Sequence, residues 1–216
     1  MATFGTQVED LTGSLNDNTA IGQWLTDGAR LVLDNLPTDK LERVTEEVQF
    51  TNTTTSKGKR IFEVLRKNAS NSNKLMVCRK LPTKSLGRVE DSDYMEFATA
   101  SDPAYIVHDN QIQTFPSSSA SNDSVVLFID TTITVADNDS PGGIDDIPQE
   151  AESVIVLYAA RNGLERLVSN ANADEDPELV SSLVAQYQLV DRQYKEGLQI
   201  LGIDKLYVEK DLPDRR

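Results

Sequence analysis

The sequence predicts an α+β protein: an antiparallel helical bundle, made of N-terminal helices and a C-terminal αα-hairpin, with an inserted β-rich module and an extended C-terminal arm. Two apolar segments with helical spacing, 147–169 and 177–201, are separated only by a short acidic connector. This arrangement is typical of a helical hairpin. Between residues 48 and 135 short β-branched runs alternate with Ser, Thr, Asn, Pro and Gly, which indicates strands and turns. Residues 1–36 return to helical spacing and should pack on the hairpin.

The second hairpin segment carries the clearest helical signal. Its apolar side chains recur at steps of three and four and predict one continuous buried stripe. The stripe consists of Val180, Leu183, Val184, Tyr187, Val190, Tyr194, Leu198 and Leu201. Asp176 stands where an N-cap is expected and Gly202 where a helix stop is expected. The first segment offers the facing apolar surface, so each helix should bury its stripe against the other.

The N-terminal helical region should be interrupted between residues 13 and 18. We expect Asn18 or Thr19 to cap the second helical piece and Pro37 to end it. Gly22 and Gly28 each weaken this helix by roughly 1 kcal/mol relative to alanine, for which close contact with a neighbouring helix is the usual compensation.

The β-rich region contains seven candidate strands. They are residues 48–54, 60–66, 75–79, 105–108, 111–115, 125–130 and 132–135. Asp109 and Asn110 lie where a tight hairpin turn is expected. The predicted division of the chain is an N-terminal helical part at 1–47, the inserted module at 48–140, the C-terminal hairpin at 141–202 and the arm at 203–216.

Charge is distributed unevenly along the chain, whose formal net charge is −14. Residues 57–88 hold ten basic side chains and one acid, Glu63. Opposite-sign surfaces on one polypeptide can orient identical subunits against one another, so Arg66, Lys67, Arg79 and Lys80 are candidate partner-binding residues. A solvated strand face and contact with nucleic acid are the alternatives, although the acidic remainder would repel phosphates.

Composition argues against most catalytic chemistry. His108 is the single histidine and Cys78 the single cysteine, which removes multi-histidine metal sites, zinc clusters and a disulfide framework. We therefore expect a protein without cofactor or metal that is not an enzyme. No apolar run reaches the roughly 20 residues that cross a bilayer, and the start lacks a secretory pattern, so we expect synthesis in the cytoplasm and no membrane partner.

The tail from residue 203 alternates charged and apolar side chains without helical period. Leu206, Tyr207, Val208 and Leu212 have no obvious partner within the chain. They are candidate partner-binding residues, because a short segment of this kind gains order by docking on another subunit.

The order of these features resembles a known family. The resemblance rests on four segments: WLTDGARLVLDNLP, SDPAYIVHDNQIQTFP, DIPQEAESVIVLYAARNGLERL and DPELVSSLVAQYQLVDRQYKEGLQIL. Together with the short arm, they are similar to the head-to-tail connector (adaptor or neck) proteins of tailed bacteriophages. The match covers most of the chain and rests on the character and order of these segments rather than on invariant motifs.

The resemblance implies a virion structural protein of the neck. It implies a homo-oligomeric ring, usually a dodecamer, through which DNA passes without specific binding. The arm would reach the portal protein and the β region would face the next neck or tail component. Another virion component, such as a capsid, baseplate or tail-completion protein, is the alternative, and an unrecognised soluble enzyme is a third.

Overall fold

The computed structural model describes residues 2–68, 71–81, 98–117, 120–143 and 146–203. Within these ranges the fold is mixed α+β, with five α-helices and two four-stranded sheets. The chain divides into two compact units: residues 1–44 with 132–216, and residues 45–131. The first unit holds the helices and the second holds the strands.

The helical unit is assembled from both ends of the chain. Its helices are α1 (Phe4–Thr12), α2 (Asn18–Asn35), the short α3 (Thr38–Leu41) followed by a 3-10 turn (Glu42–Val44), α4 (Gln149–Ala173) and α5 (Pro177–Leu201). Helix α4 packs against α5, α2 and α1, and these are the most extensive contacts between helices. The core is mainly apolar, with Leu25, Val32, Ala159 and Leu164 fully buried.

The contacts between α4 and α5 run in opposite sequence order. Val154 of α4 meets Gly197 of α5, Tyr158 meets Tyr194, and Arg161 reaches Asp191. The predicted bounds of α5 are confirmed: Asp176 accepts a hydrogen bond from the Leu179 amide at 3.0 Å, and Gly202 ends the helix with left-handed backbone. The start of α2 differs from the prediction, because Asp17 and neither Asn18 nor Thr19 is the N-cap.

Residues 132–135 form no strand, although their β-branched composition predicts one. This segment lies along α2 instead, where the Val135 amide donates to the Thr26 hydroxyl, which in turn donates to the Val135 carbonyl. Arg30 donates to the carbonyl of Ile133 at 3.0 Å. Side chains of α2 therefore satisfy the backbone groups that a neighbouring strand would otherwise satisfy, and the segment belongs to the helical unit.

The second unit contains two sheets. Its strands are β1 (Glu46–Phe50), β2 (Thr53–Thr55), β3 (Lys59–Asn68), β4 (Asn71–Val77), β5 (Arg79–Lys80), β6 (Ala104–His108), β7 (Gln111–Phe115) and β8 (Ser124–Asp130). The first sheet has the order β1-β8-β3-β4 and is antiparallel throughout. The second has the order β2-β7-β6-β5, in which β5 and β6 are parallel.

The strands of this unit follow from the residue types at their turn and from the apolar side chains that face its core. Asp109 and Asn110 join β6 to β7 with positive φ angles of 48° and 57°, which confirms the predicted tight turn, since both residue types tolerate left-handed backbone. Apolar side chains from the two sheets share a core cluster: Phe50, Val64, Val126 and Phe128 from the first sheet, Tyr105 and Ile112 from the second, with Cys78 beside them. A second cluster in this unit includes Ala104, Ile106 and Phe115.

Candidate assembly surfaces

The four basic residues expected on a partner surface occupy different environments. Arg66 is 7% exposed, and its guanidinium lies 3.1 Å from the Asp123 carboxylate and donates to the carbonyl of Pro116. Lys67 is half-buried. Arg79 and Lys80 are exposed on β5, where Arg79 pairs with Asp102 at 3.1 Å.

Arg66 is therefore not available to a partner at the surface of this unit. Side chains alternate between the two faces of a strand, and Arg66, two residues after Val64, lies on the same buried face of β3. The Ser124 hydroxyl donates to the second oxygen of Asp123 at 3.2 Å, and Thr114 and Ser124 share a further hydrogen bond. A carboxylate with a guanidinium and a hydroxyl partner is stable inside a sheet unit, so this pair is a structural element.

Cys78 lies beside the same pair. Burial raises the pKa of the Cys78 thiol to about 12, with Arg66 acting in the opposite direction. Burial also raises the pKa of Tyr105. A thiol held protonated is a poor nucleophile, and Cys78 packs in the core of the β unit.

The arm residues Leu206, Tyr207, Val208 and Leu212 lie outside the described residues. The described chain ends in a capped helix: the Gly202 amide donates to carbonyls in the last turn, and the Ile203 amide donates to the Leu198 carbonyl at 2.9 Å. Ile203 is 2% exposed. The helical unit thus includes Ile203, and the arm can begin no earlier than Asp204.

A polar and aromatic cleft of about 420 Å³ opens along one side of α5. We call it the cleft and define it by the side chains of Tyr158, Arg161, Tyr187, Asp191, Tyr194 and Lys195. Leu31 of α2 and Leu198 complete its wall.

The charged groups of the cleft hold one another in place. Asp191 lies 3.1 Å from Arg161 and 2.8 Å from Lys195. Arg161 also donates to the Tyr187 hydroxyl at 3.1 Å, and its guanidinium lies 5.9 Å from the Tyr187 and Tyr194 ring centres. The cleft therefore carries two cations and one carboxylate in a fixed arrangement.

Sequence reasoning placed Tyr187 and Tyr194 on a purely apolar stripe. Tyr194 is buried, but Tyr187 is half-buried and Val184 is 36% exposed. Fewer than the eight predicted residues of the stripe are therefore buried, and residues at its edge line the cleft. The signal that could have indicated the cleft is Asp191, which stands four residues after Tyr187 and three before Tyr194, with Lys195 four residues after Asp191.

A second surface lies on another side of α5. Ser182, Leu189, Gln193 and Ile200 are all exposed and uncharged, and we call them the ridge. They recur at steps of seven, four and seven, which places them on one side of the helix. Leu189 is 57% exposed and Ile200 77% exposed. Both residues lie outside the stripe that periodicity assigned to the core.

No protein-family model matches this sequence, and no characterised protein matches it. Within the described ranges, no helix combines the length and apolarity that a membrane crossing requires. The same part of the chain holds no group of three or more His, Cys, Asp or Glu side chains placed to bind a metal ion.

Proposed function

We propose that this chain is a subunit of the head-to-tail connector ring of a tailed bacteriophage, located in the virion neck. The observation that carries the proposal is the division of charge between the two units. Residues 45–131 hold ten basic and eleven acidic side chains, a net charge of −1, so the helical unit carries the other −13 of the total −14.

An acidic helical unit suits the wall of a DNA channel. A surface that repels phosphates does not retain a duplex that must move through it, whereas basic residues would bind the duplex and release counterions. The basic segment that stands out in the sequence is balanced within its own unit by acids, as in the Arg79–Asp102 pair. DNA therefore passes without specific binding.

The finer architecture of the proposal follows the resemblance. The helices form an antiparallel bundle in which α4 and α5 are the C-terminal hairpin, the β unit is an insertion, and the chain continues into an arm. The ring is a dodecamer, the arm with Tyr207 and Leu212 as anchors reaches the portal protein, and the β unit faces the next neck or tail component. Lys67 and Lys80 are the residues of the basic set that remain for that contact.

Electron microscopy of the purified protein, alone and bound to its portal, tests the proposal. We expect negatively stained rings with a central channel, and a ring seated on the portal. A shell contact in images of labelled virions would support a capsid component instead. A small globule that binds neither portal nor tail would exclude the connector role.

Truncation tests the arm separately. Deleting residues 204–216, which spares the buried Ile203, should leave the circular dichroism and melting temperature of the protein nearly unchanged while abolishing its attachment to the portal. The double variant Tyr207→Ala/Leu212→Ala should have the same effect with the chain length preserved. A truncated protein that still joins heads to tails at normal yield would contradict the role assigned to the arm.

A further inference from the structure

The ridge and the cleft lie on different sides of the same helix. At about 100° per residue, the side chains that α5 contributes to the cleft stand roughly 120–180° around the axis from Leu189. One side of α5 exposes the apolar side chains of Leu189 and Ile200, and the other borders a recess lined by aromatic rings. Two unlike surfaces on opposed sides of one element are the geometry that head-to-tail association requires.

We propose that the ridge of one copy seats in the cleft of a second copy of this chain, with Leu189 as the central contact. The inference rests on the proposed function and specifies the subunit contact of the ring. A contact between two unlike surfaces is heterologous, so an open assembly keeps one free ridge at one end and one free cleft at the other until rotation closes the ring.

The charge pattern favours a second copy over an unrelated partner. From Leu179 to Val190 the helix has no charged residue, and only Leu183 and Val190 in this stretch are buried. Copies whose helical units each carry −13 repel one another, so a contact between them needs an uncharged surface. Charged side chains are generally depleted from the centre of protein interfaces.

Complementary charge lies at the borders of the two surfaces. Glu178 and Glu196 are placed within about 20° of Leu189 around the axis, and Glu196 is paired with Arg192 at 2.9 Å. The cleft offers Arg161 and Lys195 against a single carboxylate, Asp191. Glu178, Glu196 and Arg192 together carry a net charge of −1 beside the ridge, and Arg161, Lys195 and Asp191 together carry a net charge of +1 in the cleft. These opposite net charges orient the approach of like-charged copies.

The composition of the cleft suits a binding pocket. Tyrosine and arginine are the residues most enriched at the energetic centres of interfaces. Here the Arg161 side chain is already fixed by Tyr187 and Asp191, so little side-chain entropy is lost when a partner arrives.

Two charge-introducing variants and their mixture test the contact. Leu189→Glu alters the ridge and Lys195→Glu alters the cleft, and both positions are exposed. The melting temperature of each variant is measured first, because Lys195→Glu also places a second carboxylate beside Asp191. Ser181→Glu is the matched control, because it adds the same charge at an exposed position of α5, about 80° and 12 Å from Leu189. Self-association is measured by sedimentation velocity and mass photometry over a concentration series.

We expect each of the two variants to raise the concentration needed for association about tenfold or more, and the control to behave as the wild type. The mixture is the decisive sample: the Lys195→Glu chain retains a ridge and the Leu189→Glu chain retains a cleft. An equimolar mixture should therefore form 1:1 pairs, twice the 23.9 kDa of the chain, that do not grow further.

Three results would overturn the contact. Unchanged association of Leu189→Glu would show that the ridge is not used, and absence of 1:1 pairs in the mixture would indicate a ridge-to-ridge contact. A wild-type chain that stays monomeric at all concentrations would also refute it. The connector role is judged independently, by images of the portal-bound protein and of virions, so a ring that persists in Leu189→Glu would refute the contact alone.

Discussion

Gly28 of α2 lies directly against the ring of Tyr158 on α4. A Cβ atom built at position 28 would stand 2.8 Å from Cδ1 and 3.1 Å from Cγ of that ring. The glycine therefore allows α2 and α4 to approach closely, and the close approach compensates for its low helix propensity. The sequence alone assigned this compensation to Gly22 as well, but at position 22 the nearest atom to a Cβ would be the Val135 carbonyl oxygen at 3.7 Å.

The two glycines should respond oppositely to alanine. Gly28→Ala should destabilise the helical unit, because overpacking typically costs about 1–3 kcal/mol and the Tyr158 ring cannot withdraw without disturbing its contact with Tyr194. Gly22→Ala should stabilise it by up to about 1 kcal/mol, since the added methyl group meets only ordinary van der Waals contacts. Thermal unfolding followed by the fluorescence of Trp24, the single tryptophan, measures both. Equal shifts would contradict the close approach at Gly28.

The Arg66–Asp123 pair should be a stability element of the β unit. Both side chains are less than 10% exposed, so Asp123→Ala leaves a buried guanidinium without its carboxylate and should cost about 3–5 kcal/mol. The double variant Arg66→Met/Asp123→Leu removes both charges and should cost clearly less. Urea denaturation followed by far-ultraviolet circular dichroism compares the two. A double variant as unstable as the single one would show that packing, rather than the unpaired charge, sets the cost.

Asp17 should make the stability of the helical unit depend on pH in the acidic range. The hydrogen bond from Arg166, at 2.6 Å, and then the hydrogen bond from the Ala20 amide hold the pKa of Asp17 below its ordinary value. A lowered pKa gives stability that is present above the ordinary carboxyl pKa of about 3.9 and is lost as the pH falls through the lower folded value.

Three variants separate the cap from the ion pair. Asp17→Asn keeps a capping oxygen but loses the charge, Asp17→Ala loses both, and Arg166→Gln removes the principal cause of the shift. At neutral pH the melting temperatures should therefore fall in the order wild type, Asp17→Asn, Asp17→Ala. The wild type should approach Asp17→Asn as the pH falls through the folded pKa of Asp17, and Arg166→Gln should weaken this acid dependence. An identical pH profile for Arg166→Gln and the wild type would show that the ion pair does not act.

Cys78 should be unreactive in the folded protein. Burial raises the pKa of its thiol to about 12, and the thiolate is the form that attacks a disulfide reagent. At pH 8 an aromatic disulfide should therefore label the native chain only as fast as the β unit opens, and should label the urea-unfolded chain at once. Rapid labelling of the native chain would place the thiol at the surface.

The same shift predicts an alkaline loss of stability. The pKa of the thiol is about 8.5 in the unfolded chain and about 12 in the folded chain. Stability from Cys78 is therefore complete below pH 8.5 and is lost as the pH rises through this window. Cys78→Ala should show a smaller decline across the window in urea denaturation at stepped pH.

Local chemistry made several elements predictable from the sequence. A proline start after Asp176 and a glycine stop at Gly202 define α5, and the Asp109–Asn110 pair defines a hairpin turn. These signals act within a few residues, through capping hydrogen bonds and through tolerance of left-handed backbone. The mixed α+β class follows from them, because periodicity changes between helical and strand-like segments along the chain.

Tertiary structure decided what each side of these elements contacts. Periodicity identified a stripe on α5, but the packing of α2 and α4 decides which of its residues are buried. Leu183 and Tyr194 are buried, Tyr187 is half-buried at the cleft, and Leu189 is exposed on the ridge. Arg66 belongs to a basic run, for which the sequence predicts a position at the surface. In the structure it pairs in the interior with Asp123, which is 57 residues away. Such partners are distant in sequence, and burial and pairing are properties of the assembled fold. The sequence by itself therefore determined the elements and their caps, whereas the tertiary structure decided which faces are core and which remain for a partner.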